Sequence, residues 1–201
     1  MVKKPKKKQD SKNQRMGLYL SLFIAFIMIT SAFGVIFYGF SDPSSAVKYG
    51  KYKFKSTPQG YSANINGVQY VFAALPPELN DINISYGTKF TILNGDVVVL
   101  TSNPDSTYKE DIAVSQYNLN SVLTGLNKQS INAFTLPNDQ LPAISCENST
   151  KETPIIEIQE GNTTQIILDG YCIKMEFDNS FNLRRSVSKL TYLLLGVLDE
   201  Q

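Results

Sequence analysis

Residues 97–136 read VVVLTSNPDSTYKEDIAVSQYNLNSVLTGLNKQSINAFTL, and the apolar period changes twice along them. Val97-Val-Val-Leu100 is an unbroken apolar run of strand length. A polar loop follows, in which Thr107 and Glu110 stand at the spacing of a capping box. Ile112, Leu119, Val122, Leu123 and Leu126 then recur on one helical face, and Ile131-Asn-Ala-Phe-Thr-Leu136 returns to a strand-like pattern. Strand, helix and strand in this order predict a right-handed parallel β-α-β crossover.

The flanks extend this reading. Upstream, Lys51–Lys55 alternates charge with aromatic rings, and Tyr61, Ala63 and Ile65 alternate again. Asn66-Gly67 supplies a two-residue hairpin turn into Val68–Phe72, so the three runs predict an antiparallel meander. Pro76-Pro77-Glu78 marks a turn, and Lys89-Phe-Thr-Ile-Leu93 reads as a further strand before Asn94-Gly95-Asp96. Downstream, residues 154–158, 164–168 and 171–177 read as a second antiparallel meander, with turns at Gly161-Asn162 and Asp169-Gly170. A last helix carries Leu183, Val187, Leu190, Leu194 and Val197 as a stripe that packs on a sheet. The expectation is one α+β domain over residues 51–201, with two antiparallel β-meanders, a central β-α-β unit and a C-terminal helix.

The N-terminus is of another kind. Between residues 3 and 15, seven of thirteen residues are Lys or Arg, and residues 16–40 then hold no charge at all. Twenty-five helical residues rise about 37 Å, enough to cross a hydrocarbon core of about 30 Å. A cleavable signal needs only about 7–15 apolar residues, so the run is read as a retained transmembrane helix in contact with lipid. Residues 1–15 form a basic tail, and residues 41–50, opened by the helix-stopping Asp42-Pro43, a linker. The positive side stays inside, which puts the N-terminus in the cytoplasm and residues 51–201 outside the cell membrane. Beyond residue 41 the chain has twelve Lys/Arg and seventeen Asp/Glu, a charge of −5 that speaks against nucleic acid as a partner.

Both cysteines, Cys146 and Cys172, fall in the exported part, which predicts a disulfide between them. In the chain-entropy picture that loop is worth about 3.5 kcal/mol. With no histidine in the chain, a tetrahedral zinc site built on two thiols has nothing to complete it, so no metal and no cofactor is expected. Asn83, Asn148 and Asn162 each open an acceptor sequon for N-glycosylation.

Few residues suggest chemistry. The loop Thr101–Tyr108 lies between a strand and a helix, where α/β domains gather free N–H groups, but it has no glycine to cradle a phosphate. Ser186-Val-Ser-Lys189 has the Ser-x-x-Lys spacing of serine acyl-enzymes, without the Ser-Asp-Asn or Lys-Thr-Gly motifs that accompany it; both residues are read as solvent-facing. Asn94-Gly-Asp-Val-Val-Val-Leu100 is similar to a strand of type I signal peptidases, which are also anchored by an N-terminal span, although their nucleophile motif is missing. Gln14-Arg-Met-Gly17 before an apolar helix resembles a type IV pilin leader, yet Leu22 stands where many pilins carry glutamate.

The order Ile155-Ile-Glu-Ile, Asn162-Thr-Thr-Gln-Ile, Gly170-Tyr-Cys-Ile-Lys-Met-Glu and Lys189-Leu-Thr-Tyr-Leu-Leu-Leu-Gly196 resembles small single-span membrane proteins of archaea, most closely over residues 154–197. The resemblance implies an exported, anchored domain and brings no substrate or catalytic residue. The expected function is therefore a binding or assembly module at the cell surface. The alternatives are a membrane-bound hydrolase of signal-peptidase or Ser-Lys type and a pilin-like subunit. Tyr192, Leu193 and Leu195 widen the apolar arc of the last helix beyond one sheet contact, so they are the expected patch for a protein partner or self-association.

Overall fold

The computed structural model describes residues 17, 19–30 and 46–199, and the chain divides into two units, 1–44 and 45–201. In the first unit a helix, α1, covers residue 17 and residues 19–30 with exposed side chains. Among the described residues no helix is long and apolar enough to cross a membrane. The basic tail, the second half of the apolar run and Asp42-Pro43 lie outside the described residues.

The second unit is α+β, with two sheets and three α-helices. Its first sheet is antiparallel in the order β1-β2-β3-β4: Val47–Tyr49, Tyr52–Thr57, Gly60–Ile65 and Val68–Phe72. The expected meander is β2 to β4, and β1 adds a strand within the stretch read as linker. Asn66 and Gly67 both have positive φ, 54° and 86°, as the tightest hairpin turn requires. At the other turn a Cβ on Gly60 would lie 2.2 Å from the Phe72 carbonyl oxygen, so only glycine lets the strands close there.

The second sheet has the order β5-β9-β10-β8-β6-β7. Its strands are Asn83–Ile84 (β5), Val97–Ser102 (β6), Gln129–Phe134 (β7), Ile155–Glu160 (β8), Gln165–Asp169 (β9) and Cys172–Phe177 (β10). β6 and β7 pair in parallel around α3, Lys109–Gly125, as the strand-helix-strand pattern predicts. The second meander is corrected. β9 and β10 do form an antiparallel hairpin, but β8 pairs in parallel with β10 on one side and with β6 on the other. The cause is burial on two faces. Ile155, Ile156 and Ile158 of β8 and Cys172, Ile173, Met175 and Phe177 of β10 are all buried, the signature of central parallel strands.

Lys89–Leu93 is also corrected, from strand to helix: α2 spans Thr88–Asn94. Thr88 and Ile92, one helical turn apart, are its buried residues, and Phe90 between them points outward. Five residues of mixed apolarity fit either period, and Gly87, with φ 86°, starts the helical turn. The capping box is absent too. The cap of α3 is Tyr108, while the Thr107 hydroxyl donates to Glu160 Oε2 at 3.3 Å.

The core lies between one face of the six-stranded sheet, α3 and the last helix α4, Ser180–Leu194, and it continues into the small sheet. Asn179 caps α4 by accepting from the Asn182 N–H at 3.0 Å. Tyr192 is the junction. Its ring stacks on Phe72 with centroids 4.0 Å apart, meets Phe54 edge-on, and its hydroxyl donates to the Ala74 carbonyl at 2.9 Å. Tyr192, Leu193 and Leu195 are 0%, 1% and 7% exposed, so the patch expected on this helix does not exist. The reason is that α4 is covered twice, by the large sheet and by the small one.

On the opposite face of the large sheet Val99, Ala133 and Ile155 pack with Ile144 in a small second cluster. The Cys146–Cys172 disulfide is present, with Cα atoms 5.3 Å apart, and ties the 135–154 segment onto this face. The Thr101 hydroxyl donates to the Ile144 carbonyl at 2.6 Å, and the Cys146 N–H to Glu157 Oε2 at 3.0 Å.

Candidate functional site: a groove along an open strand edge

Two concavities of about 440 Å³ each mark the described surface. One lies at the C-terminal ends of the parallel strands, lined by Asn103, Ser106, Thr135, Glu157, Gln159 and Glu160 among others. This is the place the Thr101–Tyr108 loop pointed to, where the start of α3 favours an anion. The chain supplies that anion itself. The Ser106 hydroxyl donates to Glu160 Oε1, and Ser106 Oγ accepts from the Tyr108 N–H at 3.0 Å. Beside it the Glu176 carboxylate accepts from the Gln159 and Gln165 amides at 3.0 and 2.6 Å. Carboxylates so placed repel a phosphate or an acidic ligand.

The other concavity is a groove between the free edge of β4, α3 and α4. Ser115, Val122, Val187 and Thr191, buried or half-buried, lie on its helix side, whereas Val71, Val114 and Tyr117 are 53%, 57% and 73% exposed. Tyr70 reaches across to α3: a Cβ on Gly125 would lie 2.9 Å from its hydroxyl oxygen, so glycine makes room for the ring. Among the described residues Arg184 is the only charged one lining the groove. Exposed apolar side chains around a concave, partly polar wall are what a binding site needs and a folded core does not.

The residues singled out in the sequence lie elsewhere. Ser186 is fully buried and its hydroxyl has no hydrogen-bond partner among the described residues, so it is not on the solvent-facing side of α4. Lys189, one turn on, donates to the Leu79 carbonyl at 3.2 Å, and burial lowers its pKa. A serine with no exposed surface cannot be acylated by a substrate in solution, and the two side chains do not form a dyad. Asn83, Asn148 and Asn162 are all exposed, although Asn148 Oδ1 accepts from the Ser145 N–H at 3.0 Å. Cys146, Cys172 and Glu157 bring three ligand-type atoms together, but both sulfurs are spent in the disulfide.

Sequence reasoning missed the groove because no motif writes it. The available signal was Val68-Gln-Tyr-Val-Phe72, a strand of the meander without lysine, proline or any charge, together with Val114 and Tyr117 off the buried stripe of α3. No family model, curated protein or solved structure matches the chain.

Proposed function

We propose that this chain is a single-pass membrane protein whose extracytoplasmic domain is a binding module, receiving a partner in the groove between β4 and α3. The observation that carries the reading is that groove, with Val71, Val114 and Tyr117 exposed around it. The anchor is supported by the uncharged run 16–40 behind a basic tail, and by exposed Leu20, Phe23, Phe26 and Ile27 on α1, which need an apolar surrounding. Export is supported by the disulfide, which persists in oxidising compartments.

A photo-crosslinking residue in place of Tyr117, in the full chain in its own membranes, tests the site; Tyr171, exposed in the turn between β9 and β10, is the control position. The expected outcome is a discrete adduct from position 117 and none from 171. No adduct at 117, or equal yields from both, overturns the groove. Protease added to intact cells is expected to remove the domain and spare the basic tail. The reverse pattern overturns the orientation.

A further inference from the structure

The outer wall of the groove is main chain, and the hairpin turn fixes its hydrogen-bonding parity. The two-residue turn at Asn66-Gly67 makes Ile65 and Val68 a hydrogen-bonded pair, so Ala63–Tyr70 and Tyr61–Phe72 follow as bonded pairs. Gln69, Val71 and Ala73 therefore turn their N–H and C=O groups away from β3, towards the groove. Ala73 agrees with this parity: its N–H donates to Ser188 Oγ at 2.9 Å. Among the described residues the outward groups of Gln69 and Val71 have no such partner.

The other sheet edges are shorter or partly covered. β5 has two residues, β1 has three and carries Lys48, and the end of β7 is covered where Phe134 donates to the Pro142 carbonyl and accepts from the Ile144 N–H. β4 has five residues, no charge, no proline and no bulge. It presents a strand-shaped row of donors and acceptors beside apolar side chains.

We infer that the groove takes an extended peptide segment of a partner protein, added to β4 as a fifth strand, with an acidic side chain of that segment on Arg184. This rests on the groove being the binding site proposed above and names what fills it. Main-chain pairing with Gln69 and Val71 supplies affinity, and every second side chain of the peptide lies against Val114 and Tyr117. The charge selects the partner, because among the described residues Arg184 is the lone charge in the lining and has no ion-pair partner. A second copy pairing β4 with β4 brings no acid to it, since Val68–Phe72 is uncharged.

The full-length chain in nanodiscs is panned against a displayed library of random decapeptides, and a selected peptide is then N-methylated one residue at a time. Enriched sequences are expected to alternate apolar residues and to include an Asp or Glu. Methylation should weaken binding by about tenfold or more at every second residue and leave the intervening ones unaffected. Arg184→Ala should weaken the acidic peptides by about tenfold. Val71→Pro removes an outward N–H without touching the β3 ladder and should do the same. The methylation scan uses the unaltered protein, so it decides the matter even if the proline variant fails to fold. Library peptides that do not enrich, or that tolerate methylation at every position, overturn strand addition. If the Tyr117 adduct nevertheless forms, the groove remains a binding site and only this mode of occupancy is lost; if it too is missing, both readings fall.

Discussion

The two sheets of this domain treat their edges differently. At the end of β7 the chain folds back on itself: Phe134 donates to the Pro142 carbonyl and accepts from the Ile144 N–H, and the Cys146–Cys172 disulfide holds the strap nearby. At β4, among the described residues, only Ser188 bonds to the outer edge, where it meets the Ala73 N–H. An edge whose end is tied down by a strap is built for stability. An edge left open beside exposed apolar side chains is built for something outside the molecule.

The largest loss is expected where the small sheet is held. Tyr192→Ala removes the ring that stacks on Phe72 and the hydroxyl on Ala74, and a loss of about 4 kcal/mol is expected by denaturant unfolding. The open edge should loosen with it, since Phe72 of β4 stacks on that ring. Removing the strap costs slightly less. Replacing Cys146 and Cys172 together with serine is expected to cost about 3.5 kcal/mol, for a loop whose ends are 26 residues apart. Hydrogen exchange should then speed up at Phe134 and Ile144 while β4 is unchanged; protection unaltered at both would show that the strap holds itself.

Alkaline titration sharpens the first of these. Burial raises the Tyr192 phenol well above its ordinary 10.0. A raised folded pKa means that its stabilising contribution is complete below pH 10 and is lost as pH rises further, because the unfolded phenol ionises first. Stability should therefore fall from about pH 10 upward. Tyr192→Phe should flatten that fall while costing about 1–2 kcal/mol at neutral pH through the unpaired Ala74 carbonyl.

A smaller effect lies at Asp81, whose carboxylate accepts from Arg185 and is held below the usual range by that hydrogen bond. A lowered folded pKa gives stability above 3.8 that disappears as pH falls through the folded value. With 62% of its side chain exposed, Asp81→Asn should cost only about 0.5 kcal/mol at neutral pH. Smallest of all is the open edge. Amides of Gln69 and Val71 should exchange fast in the intact protein and those of Val68, Tyr70 and Phe72 slowly. Slow exchange at all five would mean that the edge is already paired.

What the sequence settles by itself is local. Asn66-Gly67 sets a hairpin because few residues besides asparagine and glycine accept positive φ without strain, and the β6-α3-β7 unit follows from a period that switches within forty residues. Cys146 and Cys172 pair because the chain has no third cysteine. The tertiary structure decides everything that depends on which surfaces meet. Residues 155–160 look the same along the chain whether their neighbour is β9 or β10, and only burial on both faces selects the parallel partner. Tyr192, Leu193 and Leu195 read as surplus on an amphipathic helix until a second sheet, from residues more than a hundred positions earlier, closes over them. That closing also leaves β4 at the margin, because a sheet held by one face against α4 still has to end in an edge.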